Sequence, residues 1–91
     1  MQTEIYPKMK YTVEIDVMPH KNLLDPQGKA VANSMERIGL STVHDVRIGK
    51  HITLQVDAEN EEAAIGIAEK ACKSLLVNPV MEYFEISIND D

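Results

Sequence analysis

Residues 11–18, YTVEIDVM, alternate without a break. Tyr11, Val13, Ile15 and Val17 fall on one face of an extended chain, and Thr12, Glu14 and Asp16 on the other. A period of two with one apolar side predicts a half-buried strand, ended by Pro19 because proline gives a ladder no N–H. After the polar loop PHKNLL the period becomes helical: Val31, Ser34, Met35 and Ile38 recur, with Ala30 and Ala32 alongside. Asp25 stands where a carboxylate caps a helix, and Pro26 fits the first helical position. Gly39 supplies the left-handed residue that comes after a last turn, with Leu40 expected to pack back on Met35.

The next stretch, VHDVRIGKHITLQVD, reads as two strands around Gly49. Val46 and Ile48 share one face, as do Ile52, Leu54 and Val56. Parity then predicts that Ile48 pairs with Ile52 and Val46 with Leu54, across three loop residues or a bulge at Gly49-Lys50-His51. Asn60 is expected to cap a second helix whose first turn carries Glu61 and Glu62, where negative charge suits the helix dipole. Its apolar stripe is Ala64, Ile65, Ala68, Ala71, Cys72, Leu75 and Leu76, and Asn78-Pro79 stops it. VMEYFEISI alternates again, with Phe84, Ile86 and Ile88 inward. The order is βαββαβ, an α+β class. Two split βαβ halves with right-handed crossovers predict a four-stranded antiparallel sheet with both helices on one face, the ferredoxin-like arrangement. Ile15, Ile38, Leu54, Leu75 and Ile86 are the expected core; Glu14, Gln55 and Glu85 are expected to tolerate alanine.

Composition narrows the function. Nine Lys and Arg stand against 15 Asp and Glu, a net charge of −6, so no nucleic-acid partner is expected, since phosphate binding needs a basic stripe. Apolar runs are too short for a membrane span, and MQTEIYPKMK lacks the apolar segment of a signal peptide. One cysteine, Cys72, excludes an intrachain disulfide and fits a reducing cytoplasm. A single domain of 91 residues has one modest core.

Chemistry is mostly missing. There is no CxxC pair for a soft metal, and His20, His44 and His51 are widely spaced near predicted loop or strand ends, where solvated rings are the ordinary reading. The middle strands carry Ile, Thr, Leu and Gln in place of base-stacking aromatics. Cys72 sits on an apolar helix stripe as a core thiol, with no base to activate it. No nucleophile, base and orienting group assemble. Two features stand out. Arg47, Gly49 and Lys50 in DVRIGK, with Lys29, offer an anion contact, the alternative being solvated charges beside a hairpin. Gly28 falls inside a first helical turn, where glycine costs roughly 1 kcal/mol relative to alanine. Either the helix begins later, or glycine occupies a positive φ, or something approaches this backbone too closely for a side chain.

LLDPQGKAV, DVRIGK and LLVNPVMEYFEI, in this order and at these separations, resemble the PurS family, the small subunits of phosphoribosylformylglycinamidine synthase of bacteria and archaea. The likeness spans about Lys10 to Ile88, leaving residues 1–9 as an N-terminal extension, 10–88 as the domain and 89–91 as a tail. The loop MPHKNLLD looks slightly longer than the family's usual Pro-Gly-Val-Leu-Asp connection. The resemblance implies a cytoplasmic, non-catalytic subunit in purine synthesis that forms a homo-oligomer, dimer or tetramer. It would bridge a glutaminase subunit and an ATP-using synthetase subunit and assist ammonia transfer between them. It implies no cofactor on this chain, ATP, magnesium and glutamine being used by the partners, and neither catalytic nor metal-binding residues. Asp25, Pro26, Gln27, Gly28, Lys29, Arg47, Gly49 and Lys50 are then the partner-interface candidates, and Gly28 is expected to be small because another polypeptide packs against the helix start. The competing reading is a stand-alone regulatory module of the ACT type, which shares the element order and binds amino acids at a dimer interface.

Overall fold

The computed structural model describes residues 9–89; the expected N-terminal extension, save Met9, and the last two residues of the tail lie outside them. Strand β1 (Met9–Pro19) is followed by helix α1 (Pro26–Arg37), strand β2 (Lys50–Ala58), helix α2 (Glu61–Ala71) and strand β3 (Glu82–Asn89). The sheet is antiparallel, in the order β2-β1-β3, so β1 is central and both other strands are edges. Ile15 pairs with Ile52 on one side and Ile86 on the other; Val13 likewise pairs with Leu54 and Ile88. These pairs put the three apolar sets on one face, as the alternation requires.

The expected four-stranded sheet is not formed; three strands are present among the described residues. Residues 43–49 make no ladder. The Ile48 N–H goes to the Asp25 carboxylate at 3.1 Å, and Arg47 turns to carbonyls of the β1–α1 loop. Ile52 and Leu54 pair with β1 in place of Ile48 and Val46. A three-residue alternation was outweighed by hydrogen bonds that only the tertiary structure supplies, as happens readily for short strands.

The placement of both helices on the sheet is also corrected. Only α2 covers the apolar face, burying Ala64, Ala68 and Cys72 against Val13, Ile15, Val17, Val56 and Ala58. Helix α1 makes no substantial packing with any strand or with α2. Of its own residues only Gly28 is buried, and Ile38 just beyond it is 71% exposed. The helix is nonetheless well terminated. The Leu40 N–H reaches the Met35 carbonyl at 2.9 Å, the Gly39 N–H reaches that of Glu36 at 3.1 Å, and Gly39 has φ +92°, a complete Schellman stop. The Cα radius of gyration is 18.3 Å, against roughly 12 Å for a compact chain of this length.

Leu75 departs from the expected stripe for a local reason. The last turn of the second helix, Cys72–Leu76, is π-helical, closed by the Val77 N–H on the Cys72 carbonyl at 3.0 Å. The extra residue in that turn rotates the side chains after it about the helix axis. Leu75 is left 82% exposed, while Val77 enters the core. Ile15 is fully buried as expected, and Leu54 and Ile86 are half-buried.

Candidate functional site

The sequence between β1 and β2 leaves the sheet at Pro19, forms α1, and returns at Gly49. The two passages lie side by side, and four of the eight interface candidates, Asp25, Gly28, Arg47 and Gly49, build this neck. Asp25 builds it first. One carboxylate oxygen accepts the Gly28 N–H at 3.0 Å and caps α1; the other accepts the Ile48 N–H at 3.1 Å and ties the returning chain to the helix start. Those two N–H donors, Gly28 before Ile48, hold the Asp25 carboxyl below its usual range.

Gly28 has non-positive φ and lies within α1, so neither a later helix start nor a strained backbone explains it. A Cβ there would run into the Val46 carbonyl oxygen and the Asp25 carboxylate. The approaching backbone belongs to the same chain. Gly49 repeats the arrangement on the other passage, where a Cβ would meet the Val17 carbonyl and the Met18 sulfur. Arg47 closes the neck: its Nη1 donates to the Lys21 carbonyl at 3.0 Å, and its Nη2 to those of Pro19 at 2.6 Å and His20 at 2.9 Å. A guanidinium is suited to this, because its donors diverge in a fixed plane.

The remaining candidates face outward. Pro26, Gln27 and Lys29 are exposed on the first turn of α1. Lys29 shares with Lys21, His44, Asp45 and Arg47 a groove of about 420 Å³. Lys50 lies outside it, its Nζ 4.0 Å from Glu82. The four groups proposed for an anion therefore do not converge: Arg47 is engaged with carbonyls, and Lys50 points elsewhere.

A second polar cluster escaped the sequence reading. On the sheet face opposite α2, His51 Nδ1 lies 2.6 Å from Asp16 and Nε2 lies 2.7 Å from Glu14. Glu14 also accepts from Thr53 Oγ1 at 2.7 Å and Asn89 Nδ2 at 3.0 Å, which joins all three strands. Thr53, then His51 and Asn89, hold the Glu14 carboxyl low; Asp16, then Glu14, push the His51 imidazole up. Parity carried the signal. With Ile52 and Ile15 inward, His51 must stand outward beside Glu14 and Asp16. Cys72 is fully buried, and burial raises its thiol, as befits a core residue.

Comparison with known proteins places this fold and these motifs. The family model described as PurS: Phosphoribosylformylglycinamidine (FGAM) synthase matches residues 12–90. The synthase subunit PurS of Thermotoga maritima is 43% identical over 72 residues, covering 79% of this chain and 88% of that protein. The Bacillus subtilis subunit is 30% identical over 80 residues, covering 88% and 94%. The crystal structure of the T. maritima PurS subunit superposes with a TM-score of 0.83 at 36% identity, covering 93% of this chain and 98% of that one. A chain in the structure of PurLQS from T. maritima gives 0.82 at 38% identity, covering 89% and 99%. From its first full strand to its last, this chain belongs to the PurS family, the PurS subunits of phosphoribosylformylglycinamidine synthase in purine biosynthesis.

Proposed function

We propose that this chain acts as a non-catalytic connecting subunit of the synthase, bridging a glutaminase and an ATP-using synthetase and assisting the passage of ammonia between them. The observation that carries this reading is the likeness, at a TM-score of 0.82 over 89% of the chain, to a chain in the PurLQS structure. In this reading ATP, magnesium and glutamine are handled by the partner subunits, and the complex works in the cytoplasm. No helix among the described residues is long and apolar enough to cross a membrane.

The fold suits a connector. Both edge strands of the sheet are open, and an edge offers unpaired N–H and C=O groups to another chain. Helix α1 stands clear of the core, and Leu24, Ile38 and Leu40 around it are exposed at 71%, 71% and 45%. Leu24 precedes the helix and Ile38 and Leu40 follow it, so apolar side chains are open to a neighbour at both of its ends. In this reading the chain works as a homo-oligomer, and Pro26, Gln27 and Lys29 meet a neighbouring subunit. The regulatory-module alternative draws no support from the geometry, and the family match displaces it.

The test is co-elution. Mixed with the glutaminase and synthetase subunits of the same synthase, the chain is expected to move into a single complex in size-exclusion chromatography. Persistent separate elution at micromolar concentrations would contradict the connecting role.

A further inference from the structure

The 30 residues between β1 and β2 contribute nothing to the main core, whose buried members all lie on β1, β2, α2 and the turn after it. Helix α1 is therefore aimed by contacts other than core packing. The bonds that join the outgoing and returning chain at the neck are few: three from Arg47 to the carbonyls of Pro19, His20 and Lys21, and one from the Ile48 N–H to the Asp25 carboxylate. Close backbone approaches at Gly28 and Gly49 leave the neck little slack. Bonds from a charged donor are roughly twice as strong as neutral ones, and three on one planar group fix direction as well as distance.

We propose that Arg47 is a positioning residue that sets the direction of α1 relative to the sheet, and with it the geometry in which this chain engages its partner subunits. The second half of the proposal rests on the connecting-subunit reading above. An unclamped neck would let α1 swing while the sheet and α2 stayed folded, because the carbonyls that Arg47 holds, those of Pro19, His20 and Lys21, belong to residues outside the buried core. A lysine at 47 would keep the charge yet lose the fork, since one ammonium cannot span three carbonyls as the guanidinium does.

The experiment compares the parent with Arg47→Met and Arg47→Lys. Spin labels are placed at Glu36, on α1, and Gln55, on β2, both exposed, in a Cys72→Ala background that keeps labels off the buried thiol. Labelled chains are diluted into an excess of unlabelled Cys72→Ala chains so that only pairs within one chain are read, and the parent is expected to give one narrow distance distribution. Both variants are expected to give a distribution at least twice as broad, with melting temperatures within a few degrees of the parent's. In unlabelled chains, the concentration of variant needed for half-maximal glutamine-dependent synthesis is expected to rise about tenfold, with the rate at saturation restored. An unchanged distance distribution in Arg47→Met would overturn the proposal, as would broadening only in step with a collapse in melting temperature. Full rescue by Arg47→Lys would overturn the role of the guanidinium fork. Broadened distances in the variants, combined with a parent chain that never joins the partner subunits, would uphold the clamp and strike the connecting-subunit reading instead.

Discussion

The carbonyl oxygen of Val46 occupies the space that a β-carbon on Gly28 would need. Helix propensity alone ranks Gly28→Ala as a stabilising change of up to about 1 kcal/mol. The contact reverses the sign, because a backbone carbonyl cannot step aside as a side chain does. We expect Gly28→Ala to destabilise the protein by about 1–3 kcal/mol, the range of an overpacked site. Urea unfolding measures it, and a midpoint at or above that of the parent would contradict the intrachain explanation.

His51 bridges Asp16 and Glu14 through both ring nitrogens, which suits the imidazolium, the form that donates from both. Its folded pKa is raised above the ordinary 6.5. A raised pKa contributes stability that is complete below the unfolded value and is lost as pH rises through the folded one. Relative to His51→Gln, the parent's thermal advantage is expected to be largest just below pH 6.5 and to fade as the solution turns alkaline. The ring is half exposed, so the effect is small and weakens with salt. An advantage that grows with pH would contradict this account.

The core assignment separates residues that looked equivalent. Ile15→Ala should cost about 2–5 kcal/mol, since Ile15 is fully buried at the centre of the sheet. Ile38→Ala and Leu75→Ala, at 71% and 82% exposure, should change the stability of the isolated chain by no more than about 0.5 kcal/mol. Denaturant midpoints decide it: a loss at Ile38 equal to that at Ile15 would mean that α1 packs on the core in solution, and an equal loss at Leu75 would mean that the turn after α2 faces the core.

The range of each interaction decides whether it could be read from the sequence. The alternation of Tyr11 to Val17 and the Asp25, Gly39 and Asn60 caps are local signals, and each appears in place. Amphipathic spacing in α1 was equally clear, but periodicity says that a face is apolar without saying what covers it. Leu75 was misplaced because a π turn leaves no mark in the apolar spacing. The supposed strand at Val46 and Ile48 failed because the Ile48 N–H and the neighbouring Arg47 are claimed by residues more than 20 positions away. Of the candidate site, DPQGK and DVRIGK were visible as motifs. That Asp25, Gly28 and Arg47 serve one internal junction needed the two passages side by side.

Cys72 offers a check on the path of α2. Its thiol is fully buried and raised by burial and by Glu69. Alkylation by iodoacetamide at pH 8 should be at least a hundredfold slower in the folded chain than in urea. Rapid reaction of the folded protein would mean that the π-helical turn opens readily.

Glutamine-driven synthesis, measured with and without this chain, tests the central claim most directly. Glutaminase and synthetase subunits are supplied with ATP, magnesium, formylglycinamide ribonucleotide and glutamine, and formylglycinamidine ribonucleotide is monitored over time. The connecting role predicts a rate that rises from near background to a plateau at a fixed ratio of this chain to its partners. It also predicts a much smaller response when ammonium salt replaces glutamine. An equal glutamine-driven rate in the presence and absence of the chain would contradict it.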